Sequence, residues 1–113
     1  MKKVQAIIRP DKLRDVKSIL EEVGCNGMTV YEVKGMGRQG GKTDMYRGAE
    51  YDVSFQPKLM VEVVAGDELA ERAVKAIGHA ARTDNGIGAG KIFVTPILDV
   101  IRIRTGESGE EVL

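Results

Sequence analysis

Asp11-Lys12-Leu13-Arg14-Asp15-Val16-Lys17-Ser18-Ile19-Leu20-Glu21-Glu22-Val23-Gly24 decides the fold together with a counterpart that opens 56 positions later, at Asp67-Glu68-Leu69. In the first stretch Leu13, Val16, Ile19, Leu20 and Val23 recur at spacings of three and four, one apolar stripe on a helix. Pro10 and Asp11 supply a start signal, with Asp11 able to cap free backbone N–H groups, and Gly24 supplies the stop. In the second stretch, Asp67 to Ala81, the stripe is Leu69, Ala70, Ala73, Val74, Ile77, Ala80 and Ala81. Its small side chains favour close packing on a sheet, and Asp67 is the expected cap. Short Val- and Ile-rich runs flank both helices: Lys3–Arg9, Met28–Lys34, Leu59–Ala65 and Lys91–Thr95. A fifth, Ile97–Arg104, follows Pro96, which should offset it from the fourth. Two βαβ units in tandem predict an α+β, ferredoxin-like βαββαβ sandwich with an extra C-terminal strand, two helices covering one face of a four-stranded sheet. The other face is left for a second subunit or a ligand.

The chain has 113 residues, which fits a single domain over 1–113. Seventeen basic residues balance seventeen acidic ones, so a general nucleic-acid binder, which needs a basic surplus, is disfavoured. Aromatic residues make up 4% and Trp is absent, which removes stacking platforms for single strands. Apolar runs do not exceed three residues, so neither a membrane span nor a signal-peptide core is expected. A lone cysteine, Cys25, suits a reducing cytoplasm. His79 is the only histidine and has no second ligand nearby, so no zinc constellation and no nucleophile–base set stands out. Nothing in the residues makes a positive case for an enzyme.

The connection between the second and third strands is long. A loop of about twenty residues inside a compact domain is uncommon and generally functional. An extended base with a mobile tip is the expected form, and the alternation Glu50-Tyr51-Asp52-Val53-Ser54-Phe55 leaves a strand hairpin as the alternative. Gly35-Met36-Gly37-Arg38-Gln39-Gly40 matches G-x-G-x-x-G, but Gly41-Lys42-Thr43-Asp44-Met45 carries no helical stripe, so the dinucleotide reading fails for want of a helix N-terminus. Hinge or small-anion site both remain. Gly86-Ile87-Gly88-Ala89-Gly90-Lys91 is either a surface turn or a phosphate cradle, glycines turning N–H groups towards an anion and Lys adding charge. Arg102 and Arg104, two apart on the expected fifth strand, would leave one face together. They either clamp an anion or pair with Glu62, Glu107 or another carboxylate.

Taken in order, these pieces resemble the PII signal-transduction protein family over nearly the whole chain. The resemblance rests on Ala6-Ile7-Ile8-Arg9-Pro10 with Lys12-Leu13, Gly27-Met28-Thr29-Val30, Val33-Lys34-Gly35-Met36-Gly37-Arg38-Gln39, Tyr46-Arg47-Gly48-Ala49-Glu50-Tyr51, Gly88-Ala89-Gly90-Lys91-Ile92-Phe93-Val94 and Ile101-Arg102-Ile103-Arg104-Thr105-Gly106-Glu107.

The resemblance implies a cytoplasmic homotrimer of ferredoxin-like subunits, a regulator of nitrogen and energy status rather than an enzyme, with ATP or ADP bound between subunits. Gly86, Gly88, Gly90 and Lys91 would hold phosphates and Arg102 and Arg104 would complete the clamp. Thr29, Gly35 and Val64 would meet base and ribose, with Gly37, Arg38 and Gln39 also lining the nucleotide site. For 2-oxoglutarate the resemblance implies Gln39, also a Mg2+ ligand when ATP is bound, the Gly40 and Gly41 backbone, and Lys58 on the distal carboxylate. The loop, about 37–55, would dock on an ammonium transporter through Arg47, giving reversible membrane association; a soluble nitrogen-assimilation enzyme such as glutamine synthetase is the alternative target. Tyr51 matches a tyrosine that other members uridylylate. The chain departs from the family pattern in three places. Its phosphate turn is one residue longer with Ala89 in place of Asp, Gly40 replaces a common Lys, and Ala49 removes a serine phosphorylated in some relatives.

Overall fold

The computed structural model describes residues 1–36, 43–46, 49–52, 55–83 and 89–113, the stretches 43–46 and 49–52 by backbone pairing alone. Strand β1 (Lys2–Ile8) leads through a 3-10 turn (Pro10–Lys12) into helix α1 (Leu13–Glu22). Strands β2 (Thr29–Met36), β3 (Thr43–Tyr46), β4 (Ala49–Asp52) and β5 (Phe55–Ala65) follow, then helix α2 (Asp67–Ala80), strand β6 (Lys91–Pro96) and a final 3-10 turn (Glu110–Val112). The main sheet has the order β2-β5-β1-β6, and all three pairings are antiparallel. This is the expected ferredoxin-like arrangement.

Period-two alternation puts Val4, Ala6 and Ile8 of β1 and Val61, Val63 and Ala65 of β5 on one face, where they are buried. Against them lie Val16 and Leu20 of α1 and Ala70, Ala73 and Ile77 of α2. The alanines let α2 sit close to the sheet, and Cys25 joins the same core. Burial pushes the Cys25 thiol above its ordinary range, with Arg72 opposing the shift, as befits a packed rather than a reactive thiol. The opposite face carries Gln5, Ile7, Tyr31, Met60, Glu62, Val64 and Phe93, and among the described residues no helix covers it.

Both expected caps are corrected. The backbone of α2 is capped at Gly66 without a side-chain hydrogen bond, because Asp67 turns away to the N-terminal amine (3.0 Å) and Lys2 (3.5 Å). Asp11 lies in the 3-10 turn that precedes α1 and faces Arg9 at 3.8 Å. Gly24 does end α1, with φ at +101°. Within the expected long connection β3 and β4 pair as a two-stranded ladder, Asp44 opposite Tyr51, as in the hairpin alternative, while the tip expected to be mobile, at 47–48, lies outside the described residues. The base is extended as expected, since β2 and β5 stay paired out to Met36 and Phe55.

The expected fifth strand over Ile97–Arg104 is not a strand. The segment folds back on itself, with one bridge between Ile101 and Ser108, because Arg102 N–H donates to the Glu107 carbonyl (2.8 Å) and Gly109 N–H to that of Val100 (3.0 Å). Among the described residues its apolar side chains therefore have no partner strand, and Leu98 and Ile103 are each 99% exposed.

Candidate functional site

The expected site residues fall into two groups at opposite ends of the sheet. The first lies where β1 ends and β6 begins. Lys91 pairs with Ile7 in register, and Gly90 before it has φ at +102°. Only glycine fits there, since a β-carbon would stand 1.6 Å from the Ile7 carbonyl oxygen. The turn is thus pressed against β1, and Lys91 is exposed beside it. Beneath it is a small pocket of about 70 Å³ between Ile8, Ile77, Gly78 and Arg82.

Two strands across the sheet, Gly35 of β2 and Lys58 of β5 form the other part of this group. Lys58 is 7% exposed, the one charged side chain among the buried described residues. Its stem lies against Gly35, whose missing side chain would meet Lys58 Cγ at 3.4 Å. Burial lowers the ammonium below its ordinary range, Arg9 lowers it further, and Asp11 works the other way. A partly desolvated cation flanked by a second cation is an arrangement that favours an incoming carboxylate or phosphate. Arg9 and Asp11 are contributors that the sequence reading missed. The register signals them: Ile8 pairs with Leu59, so the next step along β1 brings Arg9 level with Lys58.

The second group lies at the other end. Thr29 pairs with Glu62, and Val64 stands two residues further along β5. Glu62 accepts hydrogen bonds from the Tyr31 hydroxyl (2.6 Å) and the Gln5 amide (2.7 Å), and these hold its carboxyl below the usual range. The C-terminal segment belongs to this end too, because Ile97 N–H donates to the Met1 carbonyl and Glu110 packs on Gly66. In it Arg102 is half-buried and paired with Glu107 at 3.1 Å, one of the two carboxylates considered for it, whereas Glu62 is engaged elsewhere. Arg104 is exposed at the turn. Since 103–105 is a turn and not a strand, the premise that alternation puts both arginines on one face does not hold.

Within one chain the two groups do not meet. Thr29 and Gly35 are six residues apart on one strand, about 20 Å at 3.3 Å per residue. Gly37, Arg38, Gln39, Gly40, Gly41, Arg47, Gly86 and Gly88 lie outside the described residues, as does the side chain of Tyr51. The larger cleft, about 470 Å³, sits apart at the start of α2 between Met1, Asp67, Arg72 and Glu110 and holds none of the expected residues. Among the described residues no three His, Cys, Asp or Glu side chains gather as a metal site, and no helix is long and apolar enough to cross a membrane.

The class that the structure defines is a ferredoxin-like α+β domain, with one sheet face left uncovered by the described helices and a buried lysine, Lys58, at one end of the sheet. The family model for nitrogen regulatory protein P-II matches residues 1–107. The chain is 58% identical over 113 residues, the full length of both chains, to the nitrogen regulatory protein P-II of Azospirillum brasilense. It is 60% identical over 109 residues, 96% of each chain, to that of Bradyrhizobium diazoefficiens, and 53% identical over the full length to that of Pasteurella multocida. The chain belongs to the P-II family of nitrogen regulatory proteins, which are signalling regulators acting through partner proteins.

Proposed function

We propose that this regulator binds ATP or ADP in a cleft between copies of the chain, and binds 2-oxoglutarate together with Mg-ATP. The observation that carries the reading is the separation of the two residue groups. Thr29, Val64 and Arg102 at one end cannot share a ligand with Gly35, Lys58 and Lys91 at the other unless a second copy supplies one set. The bare sheet face and the exposed Leu98, Ile101 and Ile103 offer the surface for that contact, consistent with a homotrimer.

In this reading Lys91 meets the phosphates as a point charge beside the glycine turn, and Arg102 and Arg104 reach them from the neighbouring subunit. Thr29, Val64 and Gly35 frame the base and ribose. Lys58 pairs with the distal carboxylate of 2-oxoglutarate, while Gln39 holds Mg2+ and the Gly37–Gly41 backbone wraps the ligand. No bond of either ligand needs to change; ligands that bind one loop conformation better than another shift its population. A coupling of about 1–3 kcal/mol gives a 5–150-fold change in partner affinity. Arg47, between β3 and β4 in sequence, is the anchor for an ammonium transporter, and reversible membrane association follows from that docking.

The test is calorimetric titration of 2-oxoglutarate with and without saturating Mg-ATP. Binding confined to the Mg-ATP arm is expected. Nucleotide binding with no 2-oxoglutarate response in either arm would reduce the protein to an ATP/ADP switch. Arg47→Ala should abolish capture of the transporter from membranes and leave nucleotide affinity unchanged.

A further inference from the structure

Arg102 is not waiting empty. Its Nη1 donates to Glu107 Oε1 at 3.1 Å, and Nη2 points to the Val112 carbonyl at 3.5 Å. The backbone makes this pairing almost unavoidable. Arg102 N–H donates to the Glu107 carbonyl (2.8 Å), Gly106 N–H donates to the Arg102 carbonyl (2.8 Å), and Glu107 N–H donates to Thr105 Oγ1 (3.2 Å). Gly106 has φ at +75°, the left-handed conformation that glycine adopts without strain and that lets the turn close. Outside this ring, Asp99 Oδ1 accepts from both Val100 N–H (2.8 Å) and Gly109 N–H (3.2 Å), which ties the two ends of the segment together. The carboxylate is therefore delivered to the guanidinium by the fold of the segment and not by a chance surface encounter.

We propose that Glu107 is a resident counter-ion of Arg102, an anion that a nucleotide's phosphates must displace, and that it sets how strongly the site favours one phosphate number over another. The inference rests on the reading that Arg102 grips the phosphates of a nucleotide. A guanidinium has a fixed fork of donors, and Glu107 already takes one prong of it. A polyphosphate arriving at the same fork meets a like charge beside its target, and the repulsion grows with every phosphate added. The pair is partly exposed, with the side chains 40% and 60% accessible, so it is weak enough for a ligand to open. Glu107 thus discriminates by charge: it opposes ATP more than ADP, and ADP more than AMP.

The test compares the full-length wild type, Glu107→Gln, Glu107→Asp and Arg102→Ala, titrated with ATP, ADP and AMP. EDTA is present so that the phosphates keep their charge, and thermal melting checks that each variant folds. Glu107→Gln keeps the size and removes the charge; it should bind ATP about two- to five-fold tighter, the scale of one exposed ion pair, with a smaller gain for ADP and the least for AMP. Glu107→Asp should retain the wild-type ordering. Weaker or unchanged ATP binding by Glu107→Gln, or an equal gain for all three nucleotides, would overturn the inference while Arg102→Ala still weakens binding. If instead Arg102→Ala binds all three as the wild type does, the phosphate-gripping role itself fails, and the proposal with it.

Discussion

The α-carbon of Gly90 is packed against the carbonyl of Ile7 so closely that a β-carbon there would stand 1.6 Å from the oxygen. The obstacle is backbone in a central strand, which cannot rotate aside, and φ at +102° adds strain for any L side chain. Gly90→Ala should cost at least about 2 kcal/mol and lower the melting temperature by several degrees at fixed protein concentration. Gly35→Ala is the control. Its new methyl would meet only the flexible Lys58 stem at 3.4 Å, so it should melt close to the wild type. Equal melting temperatures for the two variants would mean that the Gly90 turn yields.

Lys58 makes stability depend on alkaline pH. Its folded-state pKa is depressed, mainly by burial, so the unfolded chain holds that proton more tightly than the native one. Native stability therefore gains as pH rises through the depressed value and stops gaining above the ordinary lysine value of 10.5. Urea denaturation of the wild type and Lys58→Met at about pH 8 and about pH 10 reads this. The difference between them should move in the wild type's favour at the higher pH. A constant difference would show that the ammonium is as well solvated in the fold as in the open chain.

Much of this architecture is readable in the residues because burial periodicity is a local signal. Val4, Ala6 and Ile8, or Val16 and Leu20, announce their faces without reference to anything distant. Cap positions fail on that basis. Asp67 looks like a cap until the N-terminal amine, 66 positions earlier in the chain, competes for it. The Ile97–Arg104 run has the composition of a strand, but a strand needs a neighbour, and the neighbour it finds is its own continuation through Gly106 and Gly109. In the candidate site, Gly90 is named by its glycine-rich turn and Lys58 by the family resemblance, whereas Arg9 beside Lys58 follows only from the β1–β5 register. Glu62 shows the same limit: whether it pairs with Arg102 or with Tyr31 is settled by strand order.

On the acid side Glu62 is the group to watch. Hydrogen bonds from Tyr31 and Gln5 hold its carboxyl below the ordinary range, the Tyr31 bond being the larger cause. Its stabilising contribution is complete above the unfolded-state pKa of 4.5 and is lost as pH falls through the depressed folded value. Tyr31→Phe removes the main cause and should move the onset of acid unfolding, followed by circular dichroism, to higher pH. Because the same bond raises the Tyr31 hydroxyl, that variant also loses a tyrosine absorbance transition lying above the ordinary tyrosine range.

Ile77 tests whether the helix-covered face holds each subunit together. It has no exposed surface and packs between α2 and the sheet next to Ala73 and Ala81. Truncation to Ala leaves a cavity that neighbouring alanines are too short to fill, so a loss of about 2–5 kcal/mol is expected in chemical denaturation. A cost below that range would mean that α2 slides inward to close the gap.

The exposed C-terminal segment carries the last prediction, because in the proposed assembly it joins subunit contact to ligand binding. Leu98 and Ile103 are 99% exposed, so neither contributes to packing within its own subunit. Replacing both by Asp removes apolar surface and adds charge where a neighbouring copy in the proposed assembly would have to desolvate it, at little cost to the isolated fold. If the proposed homotrimer forms through this segment, sedimentation should record a smaller mass for Leu98→Asp/Ile103→Asp than for the wild type at equal concentration, with helix content unchanged. On the proposed site between copies, ATP affinity should fall in step, because Thr29 of one chain and Lys91 of the next would then be separated. An undiminished mass would place the contact on another surface, and ATP binding that survives dissociation would require one chain to bridge the 20 Å between its own two groups.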